Sequence, residues 1–330
     1  MKTRLLPYLV CPVCPGSDLR LGEVRAEESG EVMEGTLVCP AGHTFPVTRG
    51  IPRLLPGRTY DLGRETQRNF SFSWGKFAEI YADPRDFLDW IQPHTPADFK
   101  GKLVLDAGCG SGQHALFASD FGAREVVAFD LSPSVELAFA HARSRPNIHV
   151  VQADIYHLPF KPVFDLIYSI GVLQHIPDTP RGFAALARLL AKGGAFSIWV
   201  YGYEGTTFVR GVIDPARRVL SRLPLFPVFV LSGGLASAFF LLAKLVYGPL
   251  ARGKTTRRIA QALPMGDYIS YMSQFNLHYV FNSVFDQLIA PITQYFRRDQ
   301  VAGWFEAAGL RNVSLSQRNG MSWRATGERN

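Results

Sequence analysis

Cysteine is scarce in this sequence of 330 residues, which has only four. Three of them, Cys11, Cys14 and Cys39, lie in the first forty residues, and Cys109 lies alone in a glycine cluster. These spacings exclude the disulfide framework of a small secreted protein, and a C-x-x-C pair in a reducing compartment indicates a metal site or redox chemistry. The apolar run at residues 5–10 is interrupted by Pro7 and is too short for a secretory signal, which predicts a cytoplasmic protein.

Internal repeats, low-complexity tracts and a general charge bias are also absent from the sequence. Hydrophobic residues make up 47% of the chain and charged residues 19%, which excludes an intrinsically disordered protein. Lys and Arg outnumber Asp and Glu by 35 to 28, but residues 201–265 alone hold nine basic residues against two acidic ones. The pattern therefore predicts a neutral protein with one basic segment, not a protein that is basic throughout and binds nucleic acid in general.

The first cysteines have the spacing of a metal site. Cys11 and Cys14 form one pair, and Cys39 and His43 follow after 24 residues that predict two strands around an acidic turn at residues 27–35. Three sulfur ligands and one nitrogen ligand suit tetrahedral Zn²⁺, and a closed set of four leaves no position for water. We therefore predict a zinc ribbon over residues 1–57 with a structural metal. A ribbon that has lost its metal and a redox-active thiol pair are the alternatives.

Residues 5–56 resemble a known family of small zinc-ribbon proteins. The resemblance rests on the segments His43 to Val47 and Gly50 to Leu55, which follow the second pair of ligands. Proteins of this family are activator subunits of tRNA methyltransferases, and the same module precedes many bacterial methyltransferases.

Alternating strands and helices follow the ribbon. Predicted strands cover residues 103–106, 126–130, 149–154, 164–169 and 195–201, and a helix over residues 181–191 ends at Gly193 and Gly194. A helix over residues 299–308 and two strands over 313–317 and 322–326 complete the pattern. It predicts an α/β fold with a doubly wound, mostly parallel, seven-stranded sheet. Gln113 stands where a dinucleotide fingerprint has glycine, which weakens a hydride-transfer interpretation.

This core resembles class I S-adenosylmethionine-dependent methyltransferases close to the "type 11" group. The resemblance covers residues 101–200 and 297–330 and rests on the segments VLDAGCGSG, FDLIYSIGVLQH and LLAKGG. It implies that S-adenosylmethionine is the cofactor. The same resemblance implies that the loop carrying Gly108, Cys109, Gly110 and Gly112 passes under the methionine part of the cofactor. It implies that Asp106 contacts the amino end and that Asp130 and Leu131 hold the ribose. It also implies that Asp154 and Ile155 hold the adenine and that Ser169 and Ile170 line the floor near the sulfonium. We expect Cys109 to be a small filler and Asp165 to support a strand end.

The predicted reaction is methylation of a small or lipid-linked acceptor, at oxygen. His175 is the candidate general base, with orientation of the following loop as its alternative role. An RNA methyltransferase guided by its ribbon is disfavoured, because the ribbon has balanced charges and the turn at Ser169 lacks an Asn-Pro-Pro-Tyr-like pattern. A cofactor-binding scaffold that recruits a partner through the ribbon is a further alternative.

Two regions outside the minimal fold are expected to cover the acceptor. Residues 58–100 form an aromatic helical linker, in which Phe70, Phe72, Trp74, Phe77 and Tyr81 close one side of the site. Residues 201–298 form a helical cap insertion before the closing segment 299–330. The polar and aromatic candidates of the cap are Tyr203, Tyr268, Tyr271, His278, Tyr279 and Asp286.

The basic segment contains a long uncharged run. Residues 223–243 carry no charge, which is long enough for a transmembrane helix. Pro224, Pro227 and the pair Gly233 and Gly234 predict two shorter helices instead, with an apolar face and a basic rim. We expect this helix pair to pack on the core or in a dimer. Peripheral contact with an anionic membrane that supplies an amphiphilic acceptor is the alternative.

Overall fold

The computed structural model describes residues 1–14, 16–57, 64–77, 83–253 and 255–330. The chain begins with an antiparallel meander of four strands, β1 Arg20–Glu28, β2 Glu31–Val38, β3 Thr44–Thr48 and β4 Ile51–Leu54. The acidic turn is shorter than the sequence predicts. Both strands continue into it, and only Ser29 and Gly30, with φ of 52° and 77°, form the connection. Positive φ at both positions matches the right-handed twist of a tight hairpin.

Two helices, α1 Arg64–Lys76 and α2 Pro84–Trp90, lead into the central fold. Strands and helices then alternate as predicted, in the order β5 Leu103–Ala107, α3 Gln113–Asp120, β6 Glu125–Asp130, α4 Val135–Ala142, β7 Ile148–Ala153, β8 Phe164–Ile170, α5 Thr179–Ala187 and β9 Leu190–Tyr201. The chain ends with α12 Arg298–Ala307, β10 Arg311–Arg318 and β11 Ser322–Glu328, after a cap described below.

The sheet order is β1-β2-β3-β4-β7-β6-β5-β8-β9-β11-β10. The seven strands from β7 to β10 are the predicted doubly wound sheet, parallel except for β11, which pairs antiparallel to β9 and β10. The fold prediction is therefore confirmed. The order changes direction at β5, and in such sheets ligands bind beyond the carboxyl ends of the strands around that point.

One boundary prediction is wrong. The sequence predicts that a helix runs to residue 191 and that the next strand begins at 195, yet α5 ends at Ala187 and β9 already begins at Leu190. Leu190 pairs with Phe164 of β8, and an irregularity in the register then lets Gly193 and Gly194 pass before Ala195 pairs with Leu166. The glycine pair lies within a strand and does not end the helix.

The four-stranded ribbon is fused to the sheet edge. β4 pairs in parallel with β7, with Arg53 opposite Gln152 and Leu54 opposite Ala153. Leu9, Leu37 and Val47 of the ribbon are fully buried in the same hydrophobic cluster as Val127 and Val151 of the core. The ribbon and the methyltransferase-like sheet therefore share one core, and burial of this surface stabilises both.

Helices form the cap between β9 and α12. They are α6 Asp214–Leu220, α7 Leu225–Leu242, α8 Gly248–Arg252, α9 Arg257–Ala262, α10 Gly266–Met272 and α11 Leu277–Ile289. α7 and α8 are joined by a π-helical turn, Ala243–Tyr247, into one continuous helix over Leu225–Arg252. That helix is long and apolar enough to cross a membrane by length and composition, a test that core helices of soluble proteins also pass.

The prediction of two shorter helices in this segment is wrong. Pro227 lies in the first turn of α7, where proline removes no intrahelical hydrogen bond, so the helix begins without strain. Gly233 lies against Phe281 of α11, where a Cβ atom would come within 3.5 Å of the ring. α7 continues through Gly233 and Gly234, so the glycine pair does not break the helix.

Candidate functional site

The predicted metal ligands converge at one end of the ribbon. The sulfur atoms of Cys11, Cys14 and Cys39 and the ring nitrogen Nδ1 of His43 all lie within 4.8 Å of one another. Nδ1 lies 4.0, 3.4 and 3.3 Å from the sulfurs of Cys11, Cys14 and Cys39 respectively.

This cluster fits a tetrahedral zinc ion. With Zn–S bonds of about 2.3 Å and Zn–N bonds of about 2.0 Å, sulfur and nitrogen ligands on a tetrahedron lie about 3.6 Å apart. The observed separations bracket that value. Cys11 and Cys39 are buried, which keeps water away, and four protein ligands leave no open position, so the site is structural.

The loop after β5 has the conformation that its glycines require. Gly108, Gly110 and Gly112 have φ of 81°, 52° and 81°, a region that favours glycine. A Cβ atom at Gly108 would lie 2.4 Å from Val172, and one at Gly110 would lie 2.9 Å from the ring of Trp74. Val172 and Trp74 therefore lie so close to the loop that only glycine fits at Gly108 and Gly110.

Asp130 anchors this loop from the end of β6. Its Oδ2 accepts a hydrogen bond of 2.9 Å from the backbone amide of Gly110, and its Oδ1 accepts one of 2.8 Å from that of Ser132. The carboxylate thus lies beside the glycine loop, at the position from which ribose hydroxyls are bound in doubly wound sheets. Leu131 follows it, and its carbonyl accepts a hydrogen bond of 2.9 Å from the side chain of Gln152.

Asp106 lies buried at the end of β5. Its Oδ2 accepts no hydrogen bond from the residues that the structure describes. Burial raises the pKa of its carboxyl group to about 8. A positively charged group beside it would satisfy this oxygen and favour the ionised form, which suits the amino end of S-adenosylmethionine.

The remaining predicted cofactor residues lie along the same edge of the sheet. Asp154 follows β7 and accepts a 3.0 Å hydrogen bond from the amide of Tyr156, with Ile155 buried beside it. Ser169 is buried near the end of β8, and its hydroxyl donates to the carbonyl of Ala107. The thiol of Cys109 is buried, and burial raises its pKa well above the usual range, which makes it unreactive.

Asp165 lies at the opposite end of β8 from this edge. Its Oδ2 accepts a hydrogen bond of 2.8 Å from the amide of Leu103 at the start of β5. This contact agrees with the expectation that Asp165 supports a strand end.

A cavity of about 540 Å³ adjoins the glycine loop. Its wall combines α1, the ends of β8 and β9, and the cap, with Phe70, Trp74, Ile170, Trp199, Tyr268 and Tyr279 among the lining residues. Trp74 both contacts Gly110 and lines the cavity. Phe70 and Phe77 also line the cavity, whereas Phe72 packs on Phe229 and Phe285 of the cap, and Tyr81 lies outside the described residues.

His175 lines this cavity but is held on both sides. Its Nδ1 donates a hydrogen bond of 2.7 Å to the carbonyl oxygen of Ile292, while the rings of Phe70 and Tyr201 pack against the imidazole. Burial lowers the pKa of His175 to about 4. The ring is therefore neutral near pH 7, and its contacts join the loop after β8 to the cap.

Asp286 is an acidic residue of the cap that lines the cavity, and its side chain is a candidate for proton transfer. It accepts a hydrogen bond from the hydroxyl of Ser73 in α1. Burial raises the pKa of Asp286 to about 7, while the Ser73 hydrogen bond lowers it in part. A carboxylate with this pKa can accept a proton at neutral pH.

The cavity also includes Arg318, a residue that sequence reasoning missed. Arg318 on β10 is buried, forms an ion pair with Asp89 and lies over the ring of Tyr271. Arg324 on β11 binds the same carboxylate, so the last two strands are fastened to α2. No local motif marks these residues, because their partners lie more than 200 positions away in the chain.

Comparisons with known families agree with these two parts of the structure. Residues 105–198 match the family described as "Methyltransferase domain", and residues 2–50 match the family described as "Trm112p-like protein". Both resemblances that the sequence indicated are confirmed.

Curated relatives match in the cofactor-binding half. A tRNA U34 carboxymethyltransferase of Pseudoalteromonas atlantica is 32% identical over 142 residues, 40% of this chain and 44% of the relative. A trans-aconitate 2-methyltransferase of Deinococcus radiodurans is 41% identical over 126 residues, 38% of this chain and 46% of the relative. The chain therefore spans less than half the length of these relatives.

Solved structures with a similar fold include the magnesium protoporphyrin IX methyltransferase of Synechocystis. It is 13% identical with a TM-score of 0.47, over 80% of this chain and 98% of that one. A chain from the complex that contains the Haloferax volcanii Trm112 methyltransferase activator is 13% identical with a TM-score of 0.45, over 81% and 97% of the two chains. This chain therefore combines a segment that matches the Trm112p-like family with a segment that matches the methyltransferase domain family, and the second segment lies in the doubly wound sheet.

Proposed function

We propose that this chain transfers a methyl group from S-adenosylmethionine to an acceptor bound in the aromatic cavity. The observation that carries the proposal is the contact of Trp74 with Gly110, because it places the cavity directly beside the loop that would hold the cofactor. S-adenosylmethionine, when bound, supplies an activated methyl group on its sulfonium. The enzyme then has to bind the acceptor in line with that group and exclude water.

The cofactor residues keep the roles that the family resemblance implies. Asp130 would accept the ribose hydroxyls, Asp154 the adenine amine and Asp106 the amino end, while the glycine loop passes under the methionine part. The unpartnered buried oxygen of Asp106 and the hydrogen bond from the Gly110 amide to Asp130 support this assignment. Cytoplasmic placement of this activity is part of the proposal and is supported by the names of the tRNA-modifying relatives.

The lining and the volume of the cavity support a proposal for the class of acceptor. Its wall is mainly aromatic and aliphatic, and its volume suits a small or amphiphilic molecule more than a folded polynucleotide. The segment that matches the methyltransferase domain family ends at residue 198, before the cap that forms much of this wall. We therefore propose a small or lipid-linked acceptor that inserts an apolar portion into the cavity.

An RNA acceptor is the second candidate, and the comparisons favour it over the small acceptor. Several relatives are named tRNA U34 carboxymethyltransferase, and the ribbon belongs to the Trm112p-like family. These observations support an RNA acceptor, which the balanced charge of the ribbon disfavours. The relative named trans-aconitate 2-methyltransferase matches the same half of the chain equally well.

Transfer of labelled methyl groups tests the proposal and separates the two acceptors. The zinc-loaded protein is incubated with methyl-labelled S-adenosylmethionine and, in separate reactions, a bacterial lipid extract, a small-metabolite extract and total tRNA. We expect label in the lipid or metabolite fraction. Label in tRNA alone would establish the second candidate, and a protein that binds the cofactor but labels none of the three fractions would contradict methyl transfer into this cavity.

Asp286 is proposed as the base that receives the acceptor proton. His175 is a weak candidate by comparison, since a pKa of about 4 leaves it little affinity for a proton at neutral pH. Its Nδ1 is also occupied by the carbonyl of Ile292, which supports the alternative role of orienting the loop. Among the described residues, the hydroxyl of Ser73 donates a hydrogen bond to Oδ1 of Asp286, and the same hydroxyl lies 3.3 Å from Oδ1 of Asn282.

Asp286→Asn is expected to lower kcat/KM by about 10²–10⁴-fold, the usual contribution of a general base. The wild-type rate should rise with pH through about 7, the pKa of Asp286, and the variant should lose this rise. Ser73→Ala is the informative companion, because loss of a hydrogen bond that lowers this pKa should move the rise to higher pH. A pH–rate profile that is unchanged in both variants would exclude Asp286 as the base.

The same group affects folding stability. Because burial raises the folded pKa of Asp286 from 3.8 to about 7, the folded state holds its proton more tightly than the unfolded state. The free energy of unfolding should therefore fall as pH rises from about 4 to about 7, by on the order of 4 kcal/mol. Denaturant titrations of Asp286→Asn should lack that decrease.

A further inference from the structure

The continuous helix over Leu225–Arg252 is mostly uncovered. Its most apolar window has a mean hydropathy of 2.1, and only 17% of that window is buried. One narrow face, with Val228, Ser232 and Ala236 at intervals of four residues, packs on α11. A core helix that passes the same hydropathy test would be largely buried, so burial cannot explain why this helix is apolar.

The uncovered side of this helix carries exposed apolar side chains along its length. The side chains of Phe226, Val230, Leu241 and Leu245 are 65%, 59%, 55% and 70% exposed. Val212, Val219 and Leu223 before the helix and Ile259 after it are also exposed. Soluble monomers rarely expose contiguous apolar patches of this kind, and such patches mark interaction sites.

Basic side chains lie at both ends of this helix. Arg218 and Arg222 precede it, and Arg252, Arg257 and Arg258 end or follow it. All five are exposed, and none forms an ion pair with another residue in the part of the chain that the structure describes. In an anionic membrane the phosphates lie at the surface and the acyl chains lie beneath them. A helix with an apolar side and basic residues at both ends matches this arrangement when it lies in the plane of the surface.

The apolar surface is continuous with the wall of the cavity. Leu235 is 47% exposed on α7 and also lines the cavity, and Phe239 lines it one turn further along. An amphiphilic molecule that lies in a membrane would therefore meet the cap where the cavity wall begins.

We propose that the helix over Leu225–Arg252 lies in the plane of an anionic membrane surface, with its apolar side among the acyl chains and its arginines at the phosphates. Packing on α11 along one face opposes a membrane-spanning arrangement, since spanning would separate the helix from the cap. A second copy of the chain is a poorer occupant, because a symmetric interface over this face would bring like-charged arginines together. RNA is also a poorer occupant, because it leaves the aliphatic side chains exposed to water.

This inference deepens the proposed function by naming a membrane amphiphile as the acceptor source. It does not depend on catalysis for its test. Flotation of the zinc-loaded full chain with vesicles of phosphatidylcholine alone, or of phosphatidylcholine with phosphatidylglycerol, is measured at low and high salt. We expect binding to the anionic vesicles that weakens as salt rises, and weak binding to the neutral ones.

Two sets of substitutions test the apolar and the basic parts separately. Phe226→Ser, Val230→Ser and Leu245→Ser combined should abolish flotation, and none of these residues lines the cavity. Arg252→Gln, Arg257→Gln and Arg258→Gln combined should weaken binding to anionic vesicles about a hundredfold, since each basic residue near the surface contributes about fivefold. Val24→Ser with Val313→Ser is the matched control, because both are exposed apolar residues on distant strands and should leave flotation unchanged.

Several results would overturn the inference while leaving the proposed methyl transfer intact. One is a wild-type protein that binds S-adenosylmethionine yet stays in the soluble fraction with every vesicle. Equal binding to neutral and anionic vesicles, independent of salt, would refute recognition of anionic lipid. Loss of a dimer instead of flotation in the apolar variant, measured by gel filtration, would assign this face to a second copy. Binding of tRNA through these arginines, without any binding to vesicles, would assign this face to RNA.

Discussion

Cys39→Ser is expected to release the zinc ion and to lower the melting temperature by on the order of 10 °C. The physical reason is that metal binding at a structural site contributes directly to folding free energy, and a loss of a few kcal/mol lowers Tm by roughly 2–4 °C per kcal/mol in a protein of this size class. Because the ribbon shares a hydrophobic core with the sheet through β4 and β7, loosening of the ribbon should destabilise the methyltransferase domain as well. Thermal unfolding and the zinc content per chain are the measurements.

Cys109→Ala is the matched control, because Cys109 is the cysteine outside the metal cluster. It should retain one zinc ion per chain. A strong chelator should lower the melting temperature of the wild type and leave that of Cys39→Ser unchanged. Wild-type protein that contains no zinc when purified in its presence, with a melting temperature insensitive to chelator, would contradict a structural zinc site.

Asp130→Ala is expected to weaken binding of S-adenosylmethionine by about 10- to 100-fold. Without Asp130 in its proposed role, the variant would lose a charged hydrogen bond to the ribose, which contributes about 1.5–3 kcal/mol. It also loses the anchors at the amides of Gly110 and Ser132, so the glycine loop should become less well placed for the methionine part. Isothermal titration with the cofactor measures the effect.

Asp165→Ala separates a local effect at the cofactor from general destabilisation. Asp165 also accepts a backbone amide hydrogen bond, at Leu103, but it does so at the other end of the strands. We expect this control to lower stability and to keep the cofactor affinity close to that of the wild type. If Asp130→Ala and the wild type bind S-adenosylmethionine with equal affinity, Asp130 does not hold the ribose.

The features that could be predicted from sequence were local ones. Ligand spacing in the ribbon, the glycines after β5 and the acids at the ends of β6 and β7 each lie within a few residues of one another or of a strand end. Residues that are this close in sequence have positions fixed by the local backbone conformation. The ligands around His43 therefore lie together, and Asp106, Asp130 and Asp154 lie at strand ends, as expected.

The features that could not be predicted depend on distant contacts. Whether α7 continues through Gly233 depends on its packing against α11, which is distant in the sequence. Pairing of Leu190 with Phe164 starts β9 early despite Gly193 and Gly194. The cavity was only partly foreseen, because Arg318 reaches it from the last strand pair, where no motif signals a site.

The central claim is that the loop from Gly108 to Gly112 and the acids beside it bind S-adenosylmethionine next to the acceptor cavity. Titration of the zinc-loaded wild-type chain with S-adenosylmethionine, followed by calorimetry, tests it most directly, with NAD⁺ as the comparison ligand because Gln113 departs from a dinucleotide fingerprint. We predict saturable binding of one S-adenosylmethionine per chain and none of NAD⁺. A folded, zinc-loaded protein that shows no saturable binding of S-adenosylmethionine would contradict the account.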